Sequence, residues 1–231
     1  EAPLDGFERA VEDFRRSQGR GANVTLPYKE AACRYSDELS AGARLAGAVN
    51  TLAFEPSRTR GENTDGSGLV RDLTENLAFP IRGRSILMLG AGGAARGILG
   101  PLAESGAGQI LVANRTVAKA VELAQRLALA MVQACGYDAL EGRSFDLVIN
   151  ATSTGLSGEA FSISPGVFRK EALAYELVYG RETAFLALAR AQGARTSDGI
   201  GMLVEQAADS FRLWRGVRPE TAAVIAALRK G

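Results

Sequence analysis

The chain has 231 residues, 46% of them apolar and 23% charged, with a formal net charge of +1 and no histidine. That length holds one large domain or two modest ones, and the near-neutral charge argues against nucleic acid or an acidic membrane as partner, since both are bound through clustered positive charge. Cys33 and Cys135 lie far apart with no histidine to help them, which argues against a zinc site or disulfide framework and points to a reducing cytoplasm, and no apolar run is long enough to span a bilayer.

Leu4, Phe7, Val11 and Phe14 recur at three- and four-residue steps among charged residues, the pattern of an amphipathic helix, which Gly19 and Gly21 end. Residues 22–25 read as a short strand, and Pro27 suits the first turn of a helix that carries Lys29. Residues 48–54 form a second β-like run, 61–66 a turn-rich stretch, and Leu69, Val70 and Leu73 mark the helix after it.

The rhythm changes at Phe79-Pro80, where a domain seam is expected. Ser85-Ile86-Leu87-Met88-Leu89 is a near-continuous apolar strand of the kind buried on both faces of a parallel sheet. A Gly/Ala-rich turn and a helix to Ser105 follow, then a strand at 109–113, a helix at 116–128 and a strand at 146–149. Strands alternating with helices of this length predict right-handed βαβ units. Another strand at 172–179, a helix at 183–192 and a short strand at 194–196 continue the pattern. Residues 202–215 and 219–229 are helical, with a second domain crossing near Gly199.

The Gly90-Ala91-Gly92-Gly93-Ala94-Ala95-Arg96-Gly97 turn follows the apolar strand and opens a helix. Gly90, Gly92 and Ala95 satisfy the dinucleotide fingerprint. The first glycine permits the tight turn, the second lets a pyrophosphate approach the backbone, and the small third residue lets helix and strand pack closely. The next strand ends at Asn114-Arg115-Thr116, where an NAD site carries an acidic residue for the ribose hydroxyls. A neutral Asn followed by Arg and Thr accepts a 2′-phosphate instead, so NADP is favoured over NAD. The competing reading is that Asn114 and Thr116 only cap the following helix. Without histidine, proton transfer at neutral pH falls to a Lys, Asp, Glu, Tyr or Cys. Lys29 stands beside a strand end with Asn23, Thr25 and Tyr28, and Asp65 in its glycine-bounded turn offers a partner, although an isolated lysine is ordinarily surface charge.

Taken together, these blocks resemble the shikimate dehydrogenases. The resemblance is carried by Gly21-Ala22-Asn23-Val24-Thr25-Leu26-Pro27-Tyr28-Lys29, Gly47-Ala48-Val49-Asn50-Thr51, Asn63-Thr64-Asp65-Gly66 and the Gly90 turn. Asn114-Arg115-Thr116, Asn150-Ala151-Thr152-Ser153 and Asp198-Gly199-Ile200-Gly201-Met202-Leu203-Val204-Glu205-Gln206-Ala207 continue it, in family order over nearly the whole chain. It implies an α/β protein with an N-terminal α/β substrate domain (1–80), a Rossmann-type NADP-binding domain (81–200) and C-terminal helices (201–231) returning to the first domain. The implied activity is reversible NADPH-dependent reduction of 3-dehydroshikimate to shikimate by a cytoplasmic monomer or homodimer that uses no metal. Lys29 would transfer the proton, and Asp65 would hold and polarise it. Thr25, Asn50, Asp65, Tyr179 and Gln206 fall on positions that contact the substrate. Gly90, Ala91, Gly92, Gly93, Ala94, Asn114, Arg115, Thr116 and Lys119 fall on positions that hold the cofactor. Leu177, Gly199 and Met202 fall near its nicotinamide end, Leu177 and Met202 having core packing as their alternative reading.

The chain departs from the family in places. Members open with a further strand and helix bearing a Ser-x-Ser motif for the substrate carboxylate, whereas this sequence starts at Glu1, after that point, and a preceding segment is expected in the natural protein. The stretches 127–131 and 179–183 look short, and Glu176 and Ala184 stand where the family usually has Asp and Pro. The rival readings are a quinate/shikimate dehydrogenase with relaxed cofactor use and a non-catalytic NADP-binding protein of the same fold. A methylene-tetrahydrofolate dehydrogenase is more distant, because that family lacks the Asn63-Thr64-Asp65-Gly66 block.

Overall fold

The computed structural model describes residues 6–152 and 163–230, so Leu4 and Ser153 lie outside the described residues. Two sheets organise the chain. The first contains β1 (Gly21–Asn23), β2 (Glu38–Leu39), β3 (Thr51–Phe54) and β4 (Thr59–Glu62) in the order β1-β3-β4-β2. Strand β3 runs antiparallel to β1 and β4, and β2 pairs parallel to β4. Helices α1 (Phe7–Arg16), α2 (Lys29–Tyr35) and α3 (Ala41–Ala46) supply Phe7, Val11, Ala32 and Ala43 to a core completed by Val24, Val49, Leu52 and Phe54.

Two local expectations change here. Residues 59–62, read partly as turn, form a strand, with Gly61 pressed so close to Ser36, Val49 and Leu39 that a Cβ would lie 2.4 Å from the Ser36 hydroxyl. Pro27 stands outside the second helix, which starts at Lys29 after a cis Leu26–Pro27 bond.

The second sheet is wholly parallel. It contains β5 (Ser85–Leu89), β6 (Gln109–Ala113), β7 (Val132–Cys135), β8 (Phe145–Asn150), β9 (Phe168–Glu176) and β10 (Arg195–Ser197) in the order β10-β9-β8-β5-β6-β7. Helices α5 (Gly93–Glu104), α6 (Val117–Leu127) and α7 (Ala184–Ala191) make the β5–β6, β6–β7 and β9–β10 crossovers. This is the doubly wound dinucleotide-binding order, and the direction of winding reverses between β5 and β8. Two apolar clusters flank the sheet, which explains why Ile86 to Leu89 are fully buried without alternation. Strand β9 begins earlier than its apolar run and stops at Glu176, short of Tyr179. The short 127–131 connection closes through Ala128, whose φ of 50° is left-handed, and a hydrogen bond from Val132 N to Leu129 O (2.9 Å).

Helix α4 (Asp65–Arg71) and the π-helical turn Asp72–Asn76 lead from the first sheet to the second. Gly66 and Gly68 let α4 sit tightly between neighbours. A Cβ at Gly66 would lie 2.6 Å from the Gly97 carbonyl oxygen on α5, and one at Gly68 would lie 2.8 Å from the Gln206 backbone nitrogen on α8 (Ile200–Arg215). Helix α8 leaves the second sheet and returns across α4 to the first, where Trp214 donates to the Leu52 carbonyl (2.9 Å).

The corner between α8 and α9 (Ala222–Leu228) is held by charge. Arg218 donates to Glu205 (2.5 Å) and Asp209 (3.2 Å), while Asn76 (3.0 Å) and Thr221 (2.8 Å) also donate to Glu205. Burial alone would push the Glu205 carboxyl up, but these donors and the Arg218 charge outweigh it and hold it below its usual range. A lowered folded-state pKa means stability present above the unfolded value of about 4.3 and lost as pH falls through the folded one. Arg218→Met therefore costs about 3–5 kcal/mol at neutral pH by stranding a buried carboxylate. Thermal melts across pH are expected to show this deficit shrinking as acid protonates Glu205.

Candidate active site

Lys29 and Asp65 are each the first residue of a helix, α2 and α4. The Val49 N–H donates to the Lys29 carbonyl (2.9 Å), tying the start of α2 to the loop that carries Asn50. Asp65 sits at the positive end of α4, where a carboxylate is favoured, and its own N–H is taken by Asn63 Oδ1 (3.1 Å). The two side chains meet: Lys29 Nζ donates to Asp65 Oδ2 at 2.6 Å, with the lysine 19% and the aspartate 8% exposed. This is a largely desolvated ion pair, not a solvated lysine.

Asn50 fixes the other carboxylate oxygen. Its Oδ1 accepts from the Thr64 N–H (2.9 Å) and the Thr51 hydroxyl (2.9 Å), which forces its NH2 group toward Asp65 Oδ1 (2.8 Å). That NH2 also lies 3.0 Å from Thr64 Oγ1 and 3.1 Å from Gln206 Oε1, three acceptors for two N–H bonds. Gln206 is half-buried on α8 and donates to the Leu203 carbonyl (2.8 Å). Ser210, one turn further along α8 and fully buried, contacts the Thr51 hydroxyl (2.7 Å) and accepts from Asn23 Nδ2 (3.0 Å).

The structure thus gathers Lys29, Asp65, Asn50 and Gln206 into one hydrogen-bonded cluster. It does not bring Thr25 or Tyr179 into that cluster: Thr25 is exposed and accepts from the Tyr28 N–H through its backbone (2.9 Å), and Tyr179 is 51% exposed beyond the end of β9. Sequence reading placed Asn23 beside Lys29 but passed over Thr51, Asn63, Thr64 and Ser210 as site-builders. Ser210 carried one usable signal, its four-residue spacing from Gln206 on the same helix face.

The candidate cofactor residues lie at the carboxyl ends of the parallel strands. Gly90 ends β5 with φ +102°, and a Cβ there would meet the Ala151 carbonyl oxygen at 2.9 Å, so the turn packs against the end of β8 only because this residue is glycine. Gly92 is the N-cap of α5. No side chain caps that helix, no acidic residue occupies its first turn, and a Cβ at Gly92 would find nothing within 4 Å. An open, uncapped helix N-terminus behind a glycine turn suits a pyrophosphate.

At the end of β6, Asn114 Nδ2 donates to the Thr116 carbonyl (2.9 Å), and Thr116 occupies the N-cap of α6 without a capping hydrogen bond. Helix capping therefore does not account for this pair. Arg115, Thr116 and Lys119 are exposed around it, a cationic set that fits a 2′-phosphate. Gly199 abuts Leu177, since a Cβ would lie 2.3 Å from the Leu177 carbonyl oxygen, and Leu177 N donates to the Asn150 carbonyl (3.2 Å). Met202 and Leu177 also pack on the core flanking the sheet. Glu176 is fully buried and accepts from Asn150 (2.7 Å), Thr183 (3.0 Å) and the Val178 N–H (3.2 Å); burial pushes its carboxyl up.

The two halves of the site are linked through α5. A Cβ at Gly97 would lie 3.4 Å from Asp65 Cβ, and Gly97 is one helical turn from Gly93, or about 6 Å along the axis. Among the described residues no group of three or more His, Cys, Asp or Glu could hold a metal ion, and no helix is long and apolar enough to cross a membrane.

Residues 1–52 match the shikimate dehydrogenase substrate binding domain, 72–157 the shikimate / quinate 5-dehydrogenase family, and 199–229 the shikimate 5'-dehydrogenase C-terminal domain. The chain is 52% identical to a shikimate dehydrogenase (NADP(+)) of Methylobacillus flagellatus over 232 residues, covering 99% of this chain and 86% of that one. A crystal structure of an enzyme from Pseudomonas putida superposes with a TM-score of 0.94 at 49% identity, covering 99% of this chain and 85% of that one. Shikimate 5-dehydrogenase from Thermus thermophilus, solved in complex with NADP(H) and shikimate, superposes with a TM-score of 0.88 at 35% identity, again covering 99% and 85%. The order of the motifs, the doubly wound sheet and these likenesses agree: the chain belongs to the shikimate dehydrogenase family.

Proposed function

We propose that the protein catalyses the reversible NADP(H)-dependent interconversion of 3-dehydroshikimate and shikimate, with Lys29 and Asp65 as its proton-transfer pair. The observation that carries this reading is the 2.6 Å Lys29–Asp65 contact, placed one turn of α5 away from the glycine turn. Bound NADPH supplies the hydride. The chain's own residues handle the proton and the orientation. Lys29 Nζ gives its proton to the carbonyl oxygen as that oxygen becomes a hydroxyl, and recovers it in the reverse direction. Asp65 keeps the ammonium charged and aimed, and Asn50 keeps Asp65 from turning away. Gln206 and Asn50 present amide groups for the substrate's ring hydroxyls, while Thr25 and Tyr179 border the substrate from the exposed side.

The turn from Gly90 through Gly92 and Gly93 to Ala94, with Ala91 inside it, would hold the pyrophosphate. Asn114, Arg115, Thr116 and Lys119 would hold the 2′-phosphate, with Leu177 and Gly199 beside the nicotinamide. In this reading residues 1–80 are the substrate domain, 81–200 the cofactor domain and 201–231 the return to the first. Cys33 and Cys135 are free thiols, in keeping with the reducing cytoplasm to which we assign the protein. The protein works there as a monomer or homodimer.

The test is oxidation of shikimate and of quinate with NADP and with NAD. Shikimate with NADP is expected to be the preferred pair, and preference for quinate or for NAD would overturn the assignment. Lys29→Ala is expected to lower kcat by about 10²–10⁴-fold while KM for shikimate changes little, since the lost interaction acts in the transition state. Unchanged turnover would remove Lys29 from the chemistry. Arg115→Ala is expected to raise KM for NADP by roughly 10- to 100-fold and to leave KM for NAD almost unaltered, the value of a hydrogen bond to a charged group. Steady-state kinetics with both cofactors checks this, and equal losses for both would place Arg115 away from the 2′-phosphate.

A further inference from the structure

Lys29 has a neighbour whose contacts lead elsewhere. Glu30, the second residue of α2, accepts from Arg96 Nη2 on the first turn of α5. The arginine side chain is 22% exposed and the glutamate 56%. Arg96 is surrounded by backbone from both halves of the molecule. A Cβ at Gly93, the first residue of α5, would lie 3.9 Å from its Nη2, and one at Gly47, which ends α3, would lie 4.0 Å from its Nη1. The α3 C-terminus is the negative end of a helix, a favourable place for a guanidinium. Arg126, at the end of α6, approaches the same glycine at 3.5 Å. Arg96 Nε is buried without a hydrogen-bond partner among the described residues, so the guanidinium is held here mainly by Glu30 and its surroundings.

Three positive charges act on Glu30. The Arg96 hydrogen bond and charge, followed by the charges of Arg34 and Arg126, keep its carboxyl below the usual range. Glu30 is thus the acidic centre of a cationic group drawn from α2, α5 and α6. Among the described residues its contact with Arg96 is the one side-chain hydrogen bond between α2 and α5. Since Lys29 directly precedes Glu30, whatever fixes Glu30 against α5 also fixes the root of Lys29 relative to the glycine turn.

We propose that Glu30 and Arg96 are positioning residues, an ion-pair strap between α2 and α5 that sets Lys29 in register with the helix presenting the glycine turn. The proposal rests on the function assigned above. It predicts an unusual division of effects. A partly exposed pair contributes little to global stability, whereas a displacement of about 1 Å between reacting groups can cost as much as 100-fold in rate. Loss of the strap is therefore felt in turnover and not in melting.

The test compares Glu30→Gln, Arg96→Gln, the double variant and Arg96→Lys with the wild type, at low and high salt. Each single Gln variant is expected to lower kcat by roughly 3- to 30-fold with KM for shikimate within about twofold and the melting midpoint within about 2 °C. The double variant should be no slower than the worse single one, because both remove the same contact. Arg96→Lys, which keeps the charge, should recover most of the activity. A second readout needs neither cofactor nor substrate: amide hydrogen exchange over residues 29–35 should quicken several-fold in both Gln variants, and in the wild type at high salt. Unchanged kcat in the single variants, losses that multiply in the double, or unaltered exchange across α2 would each overturn the strap. If the wild type fails to turn over shikimate, the functional assignment fails by itself, and the exchange measurement still decides whether the strap exists.

Discussion

Helix α4 sits where no side chain would fit, and the site depends on that. Gly66 faces the Gly97 carbonyl and Pro101 on α5, and Gly68 faces the Gln206 backbone on α8. With ordinary residues at these positions the three helices would separate by the thickness of at least a methyl group. Asp65 opens α4, Gln206 lies on α8, and the glycine turn opens α5. One packing constraint therefore sets the distance between the carboxylate, the amide that shares Asn50 with it and the backbone that would receive a pyrophosphate. Because interiors are close-packed, such a three-helix contact has little slack to absorb a misplaced group.

Within that frame the polar groups are arranged by elimination. Asn50 has its carbonyl oxygen engaged by the Thr64 N–H and the Thr51 hydroxyl, so only its NH2 can face the carboxylate. Asp65 then has one oxygen for Asn50 and one for Lys29. The lysine cannot wander without leaving a buried carboxylate oxygen unpaired, which is expensive in a site this dry. In this histidine-free chain a flexible side chain is oriented in this way, as the proposed proton donor must be. The orientation comes from Asp65 and from the backbone bond at Val49, and the side chain itself contributes little to it.

What the sequence revealed of this, and what it hid, follows from which interactions are local. Strand β5 was legible because residues 86–89 must be apolar on both faces, and the glycine turn because its glycines answer to a backbone need at fixed spacing, whereas the edge strand β7, four residues long and only partly buried, was passed over. Strand β4 was hidden: Thr59-Arg60-Gly61-Glu62 is polar, and its place in the sheet comes from crowding at Gly61 and pairing with β3. Strand β2 is only two residues long and carries no pattern. In the site, Lys29 and Asp65 stood in recognisable blocks, but Ser210 reaches Thr51 across 159 positions and Asn23 across 187, contacts that only the return of α8 creates. Arg96 read as a residue of the glycine turn, and nothing in its neighbours along the chain pointed to Glu30.

The crossing into α8 carries a different kind of constraint. Tyr175 and Glu176 are consecutive on β9 and so point to opposite faces of the sheet. On one face the Tyr175 hydroxyl donates to Asp72 (2.6 Å) and accepts from the Met202 N–H (3.3 Å) at the start of α8; on the other, Glu176 gathers Asn150, Thr183 and Val178. Asp72 and Glu176 are both fully buried, neither is in an ion pair among the described residues, and burial pushes both carboxyls up. Raised folded-state values mean that their contribution to stability is present below the unfolded carboxylate range and is lost as pH rises through the folded values. At neutral pH these two groups thus work against the fold, opposite in sign to Glu205, which shares the Asn76 amide with Asp72. Apolar replacements would fill the space more cheaply. What the carboxylates add is direction: Asp72, just after α4, accepts from Tyr175 on β9, whose hydroxyl in turn accepts from the first turn of α8, while Glu176 ties β9 to β8 and to the Thr183 cap of α7. That arrangement leads the chain past Leu177 and Gly199, the stretch assigned to the nicotinamide. Stability given up at the crossing is thereby converted into a fixed relation between the two sheets, which the proposed transfer of a proton from one half and of a hydride from the other would require.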